Sequence, residues 1–205
     1  MMVTVKWTTY AVFPGAIFVF LSYAACSRSE VRIPKPRAYP RIEFPDRNFR
    51  QLQESACPLT FQYPDYMQVI RRKNFFEDKP AHPCWFDLDI PVFGATLHCS
   101  YSPVQSSRDF DGLVTDAFKI ADQINLRANY MDEIRVANAH GVSGLLMEFS
   151  GSAASPLHFY LTDSTDHFLK ASLYFQSRVI PDSLAPITDF LREDLAIIIN
   201  TMQFE

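Results

Sequence analysis

Residues 157–175, LHFYLTDSTDHFLKASLYF, decide the fold. Leu157, Phe159 and Leu161 take alternate positions, and Asp163-Ser164-Thr165-Asp166 supplies turn chemistry. Leu169, Ala171, Leu173 and Phe175 then alternate on the way back. A period of two puts successive side chains on opposite faces of a pleated strand, so this stretch predicts an antiparallel hairpin with one buried face. The same alternation recurs outward from it. Phe86, Leu88 and Ile90 share a face of Trp85–Ile90, with Asp87 and Asp89 opposite, and the odd positions of Phe93–Tyr101 are apolar. Residues 132–137 and 142–149 read as strands around the turn Asn138-Ala139-His140-Gly141, and Leu59–Tyr63 reads as the first strand. Residues 67–83, with mixed charge and two prolines, read as a loop.

Two stretches change period. Phe110, Leu113, Ala117, Ile120 and Ile124 recur at spacings of 3, 4, 3 and 4, which predicts a helix opened by Asp109, with Asp109 and Asp111 suiting its positive end. Leu184, Ile187, Leu191, Leu195, Ile198 and Met202 predict a second helix, capped by Ser183, with Pro186 tolerable in its first turn. Antiparallel strands with one helix among them and another at the end make an α+β fold, an antiparallel sheet covered by helices. The arrangement is comparable with the PsbP/Mog1-like sandwich.

The chain of 205 residues is 48% hydrophobic and 20% charged, which is globular composition. Its net charge is −4, and no basic stripe runs through the folding part, so nucleic acid is a poor partner. Eighteen Phe and nine Tyr suit a sheet-rich core, and fourteen Pro against six Gly favour stiff connections.

The first 25 residues differ from the rest. Lys6 precedes nineteen uncharged positions, Trp7 to Ala25, which end in Leu21-Ser22-Tyr23-Ala24-Ala25-Cys26. Pro14-Gly15 argues against a core helix, while the length would allow a membrane-spanning anchor. A basic start, an apolar middle and small residues before a cut site make a signal peptide, and it explains more of the segment. Ala24-Ala25-Cys26 resembles a lipobox, where the cysteine becomes diacylglyceryl-modified after cleavage; Tyr23 stands where Leu is usual. Removing the leader takes Lys6 and leaves 18 Lys+Arg against 23 Asp+Glu, or −5. Residues 26–45 follow as lipid anchor and tether, with prolines at 34, 36, 40 and 45 that favour extended backbone. The tether's basic residues serve either a solvated spacer or a strip against acidic headgroups. Residues 46–205 form a single domain.

Export past a membrane makes a disulfide possible. The phase of its strand puts Cys99 on the core face, and Cys57 and Cys84 flank prolines at strand mouths, so the expected bridge is Cys57–Cys84. No CxxC or HxxxH spacing supports a metal, and Gly151-Ser152-Ala153-Ala154 is too poor in glycine for a phosphate loop. No cofactor is implied. By alternation His98 and His158 fall on polar strand faces, and they read with the other histidines as surface or rim groups. Asp87 and Asp89 read as a solvated pair. Ser155, His158 and Asp163 are the residue types of a hydrolase triad, but Ser155-Pro156 opens a strand and no nucleophile elbow surrounds it. Nothing in the sequence requires an enzyme.

Several blocks carry a family resemblance: CPLTFQYPDY from Cys57, Pro83-Cys84-Trp85, Ala153-Ala154-Ser155-Pro156, FYLTDS from Phe159, His167-Phe168-Leu169, ASLYF from Ala171 and Asp182-Ser183-Leu184-Ala185-Pro186. With the anchor-plus-tether layout, residues 26–205 resemble the gliding-motility lipoprotein GldD family. That resemblance implies a lipoprotein needed for surface gliding in bacteria whose gliding machinery is linked to the type IX secretion system. It implies attachment through diacylglycerol and palmitate on Cys26, most naturally to the outer membrane facing the periplasm. It also implies a non-catalytic accessory or assembly role among envelope proteins, and supplies no catalytic residue. A small-ligand-binding lipoprotein of the sandwich fold is the alternative. Within Ala153–His167, small and acidic residues make turns. The sharper expectation is that the tip presents Asp163, Ser164 and His167 to an envelope partner.

The lipid assignment is tested directly. Cys26→Ser is expected to move the protein from the membrane to the soluble fraction and to abolish labelling by a clickable fatty acid. Labelling that persists in the variant would put the lipid elsewhere or remove it from the account.

Overall fold

A computed structural model describes residues 41–52, 57–71, 82–177 and 180–205. The apolar leader, Cys26 and the tether up to Pro40 lie outside the described residues. The strands in chain order are β1 (Phe49–Gln51), β2 (Leu59–Thr60), β3 (Gln62–Pro64), β4 (Gln68–Arg71), β5 (Trp85–Ile90), β6 (Ala95–Pro103), β7 (Ala128–Ala137), β8 (Ser143–Gly151), β9 (Leu157–Thr162), β10 (His167–Phe175) and β11 (Gln203–Phe204). Helix α1 (Ser107–Asn125) lies between β6 and β7, and α2 (Pro181–Thr201) follows β10. Seven strands form one antiparallel sheet in the order β4-β5-β6-β10-β9-β8-β7.

The 157–175 stretch is the β9–β10 hairpin, and β10 pairs on its other side with β6 from Ala95 to Pro103. Its apolar phase, with Leu88, Leu97 and Phe159 from neighbouring strands, packs under Leu191, Leu195, Ile198 and Ile199 of α2. The opposite face meets α1, where Ala121 and Ile124 pack on Leu145, Met147 and Phe149, and Ala117 packs on Phe168. The result is an α+β sandwich with the antiparallel sheet between two helices, as the alternation implies.

Local differences from the sequence reading have local causes. The single strand expected at 59–63 is two short strands, because Phe61 turns into the core and its neighbours take separate partners. β2 pairs with the chain end β11, and β3 with β1. Inside the expected loop, β4 pairs with β5 by backbone at the sheet edge, where its mostly exposed side chains show no alternation. β7 begins at Ala128 rather than 132, again as an exposed edge strand. Ser106, not Asp109, caps α1: Asp109 N donates to Ser106 Oγ at 3.2 Å, while the Asp109 carboxylate accepts from Gln105 N at 3.1 Å. α2 opens at Pro181, whose missing N–H costs nothing there; Ile180 precedes it, so Ser183 is not its cap.

Four ties hold the irregular parts. Cys57 and Cys84 are joined by a disulfide closing a 27-residue separation, which in the chain-entropy account contributes roughly 3–4 kcal/mol. Cys99 stays a free, buried thiol, and burial pushes its ionisation up. Arg47 pairs with the fully buried Asp194 of α2 at 2.8 Å and lies 4.1 Å over the Phe190 ring. Tyr66 donates its hydroxyl to the same carboxylate. Burial pushes Asp194 upward, and Tyr66 and Arg47 oppose that. Phe44, which falls in the tether by sequence, stacks on Phe190 with ring centroids 4.7 Å apart, a contact that covers part of a ring otherwise exposed. In the β7–β8 turn, the Asn138 amide donates to Ile199 O and Met202 O, both at 2.8 Å, closing the end of α2.

Gly144 stands opposite Leu161 at a tight point of the β8–β9 pairing. A Cβ built there would lie 1.9 Å from Tyr160 O, a backbone atom that cannot yield without breaking the ladder. Gly144→Ala is therefore expected to destabilise the domain by about 3 kcal/mol or more, read by urea unfolding. A loss under about 0.5 kcal/mol, the level of an ordinary surface substitution, would refute the tight approach.

Candidate functional site

The second face of the sheet is covered unevenly. α1 lies over β8, β9 and the near part of β10, leaving β5 and β6 beside an open cleft of about 310 Å³. Strand phase sends the even positions of β6, β9 and β10 and the odd positions of β5 to this face. Pairing then aligns them in rows: Asp87 opposite His98, His98 opposite Ser172, and Ser172 opposite His158. One row along, Trp85 lies opposite Ser100, Ser100 opposite Lys170, and Lys170 opposite Tyr160.

Side chains within the first row are bonded in pairs. His98 Nδ1 donates to Asp87 Oδ1 at 2.6 Å, and His158 Nδ1 shares a 2.7 Å bond with Ser172 Oγ. Asp87 is 4% exposed and His158 is fully buried. These two positions correct the sequence reading. Asp87 is no solvated acid, because a histidine stands directly across the ladder and α1 narrows the cleft around it. His158 is no rim group, because α1 lies over its part of the face. Asp89 does remain at the border, accepting from Thr96 Oγ1 at 2.9 Å.

Burial sets the electrostatics. Desolvation lowers His158 to about 4, and the field of Lys170 pushes the same way, so the imidazole is neutral at ordinary pH. Lys170 is itself lowered by desolvation, partly offset by Asp116. Burial raises Tyr174. Trp85 fixes its indole by donating Nε1–H to Tyr101 O at 2.8 Å. Ile120 and Gln123 of α1 complete the wall.

The imagined triad does not assemble. Ser155 is buried and donates to Leu157 O at 2.9 Å, His158 turns to Ser172, and Asp163 sits in the hairpin turn. Among the described residues no serine, threonine or cysteine side chain lies within hydrogen-bond reach of His98. The turn tip is also largely spent on itself. Asp163 Oδ1 accepts from the backbone N–H groups of Thr165, Asp166 and His167, each at 3.0 Å. His167 Nδ1 lies 2.7 Å from Tyr101 Oη, and its ring stacks on Phe204 at 5.1 Å. Ser164 is exposed and carries φ +65°, with its N–H donated to Thr162 Oγ1 at 2.9 Å.

The cleft is only half legible in the sequence. The sequence reading places Asp87, His98 and His158 on polar strand phases, but their alignment depends on register and their burial on where α1 lands.

A family model described as gliding motility lipoprotein GldD matches residues 29–204, and the chain belongs to that family. Among solved structures it is similar to the solution structure of cyanobacterial PsbP (CyanoP) from Synechocystis sp. PCC 6803. Identity is 8%, coverage is 78% of this chain and 95% of that one, and the TM-score is 0.43. No curated protein matches the chain.

His158 gives the domain an acid-sensitive element. Its folded value is depressed from 6.5 to about 4, so folding favours the neutral ring; that stability is complete above pH 6.5 and lost as pH falls toward 4. Between pH 7 and pH 4.5 the loss should be about 2–3 kcal/mol. Urea unfolding of His158→Gln is expected to show a flatter acid limb than the native chain by that amount. Parallel acid limbs would mean that His158 is not buried neutral.

Proposed function

We propose that this gliding motility lipoprotein is a non-catalytic accessory or assembly factor of a gliding and type IX secretion machine, held on the outer membrane through lipidated Cys26 and facing the periplasm. The observation that carries the reading is the family match over residues 29–204, which spans tether and domain together. Family membership supports a gliding-associated envelope lipoprotein; the secretion role, the membrane, its leaflet and the acyl groups are the proposal's own content. The site chemistry is consistent with it, since His98 has a carboxylate partner and no nucleophile in reach among the described residues.

The partner contact is assigned to the β9–β10 tip. Its support is geometric: three bonds to Asp163 hold the turn rigid, and the exposed Ser164, Thr165 and Asp166 stand out from it. A rigid turn presents a binding group with little ordering cost. Asp163 and His167 serve the contact by holding the turn, and Ser164 by touching the partner.

Two variants separate contact from scaffold. Ser164→Gly suits the positive φ, and with Thr165→Ala and Asp166→Ala it strips the tip while leaving the Asp163 bonds to backbone N–H groups. This variant is expected to keep its melting temperature and membrane level and to lose gliding. His167→Ala is expected to lower the melting temperature by several degrees, through the lost Tyr101 and Phe204 contacts. Full gliding by a stably folded, membrane-bound tip variant would exclude the tip as the contact.

A further inference from the structure

The cleft between α1 and the open half of the sheet carries a side chain that neither the fold nor the envelope role requires. An uncovered strand face needs only polar side chains in water. This one instead holds a half-buried lysine, Lys170. Among the described residues Lys170 has no ion-pair partner, and Asp116, whose field reaches it, is paired with Lys119 at 2.9 Å. A desolvated cation without a counter-charge is costly, and the cost falls when an anion arrives.

The surroundings narrow the anion's chemistry. Asp87 stands in the same wall with His98 bonded to it, so a doubly charged group such as phosphate would meet, among the described residues, a carboxylate beside the Lys170 ammonium. A single negative charge suits the site better. The same lining carries apolar surface, the Trp85 and Tyr174 rings on the sheet and Ile120 on α1, beside the polar Ser100, His98 and Ser172. Trp85 and Lys170 lie two strands apart across Ser100, a span of about 10 Å, close to the length of one ring with a short acidic arm. The volume of about 310 Å³ lies at the small end of ligand sites.

We propose that this cleft binds a small aromatic carboxylate, its carboxylate on Lys170 and its ring against Trp85 and Ile120. The site is independent of the envelope reading, because it uses no residue of the β9–β10 tip and no part of the tether.

The molecule carries its own reporter. Of its two tryptophans Trp7 falls in the leader and Trp85 in the cleft, so with Trp7→Phe, or once the leader is removed, Trp85 is the single tryptophan and its emission, excited apart from the nine tyrosines, reports on the cleft. With phenylacetate as probe, a saturable change in Trp85 emission is expected, with a dissociation constant below about 1 mM. Lys170→Met should weaken binding by about tenfold or more at an unchanged melting temperature, and Lys170→Arg should retain it within about threefold. Gln123 is exposed on α1, so Gln123→Phe is a second variant that leaves the core alone; its ring should block the cleft and abolish the response. Benzyl alcohol and inorganic phosphate, tested alongside, should produce no saturable change. The proposal is overturned if phenylacetate does not saturate, if Lys170→Met and Gln123→Phe bind it as the native chain does, or if benzyl alcohol or phosphate binds as well as phenylacetate.

Discussion

The pairing of β10 with β6 on one side and β9 on the other governs this molecule. A strand has a side-chain period of two, so a slip of one residue would exchange every group on its faces. In the observed register Leu169, Ala171 and Leu173 point to α2, while Phe168, Lys170 and Ser172 point to the face that α1 partly covers. A slip would drive an ammonium and a hydroxyl under α2 and expose three core groups. The cost of that exchange keeps the register single and brings Asp87, His98, Ser172 and His158 into one row.

Helix length and position then divide the second face. α1 reaches β8, β9 and β10 with small and branched residues and stops short of β5 and β6. Where it covers the sheet, His158 is held through its Nδ1 bond to Ser172 Oγ. Where it does not, the face stays polar, and the edge of the helix turns it into a cleft. The same packing decision thus makes His158 a buried neutral ring and leaves Lys170 half-buried beside open space.

The irregular parts lean on the other helix. Asp194 gathers Arg47 and Tyr66 from two separate loops, and the Cys57–Cys84 bridge fixes the loop before β2 to the start of β5. A carboxylate buried in a helix face is costly alone, so both partners have to be in place when the helix docks. The hairpin tip shows the same economy at smaller scale, with one carboxylate oxygen serving three backbone groups. Such turns are rigid, and rigidity makes a short exposed tip usable by a partner.

What the sequence determined by itself is everything with a period or a local chemical signature. The 157–175 hairpin, the apolar phases of β5 and β6, the stripes of both helices, the core phase of Cys99 and the family blocks are legible because each lies within a few consecutive residues. Tertiary structure decided the rest. β4 and the start of β7 are edge strands held by backbone pairing, which leaves little trace in side-chain pattern. Ser106 rather than Asp109 caps α1, a choice between two near neighbours that only backbone geometry makes. The burial of Asp87 and His158 depends on which neighbour stands across the ladder and how far α1 extends over it. Both are relations between segments distant in the chain, and alternation within a single strand distinguishes the two faces without saying which of them a helix will cover.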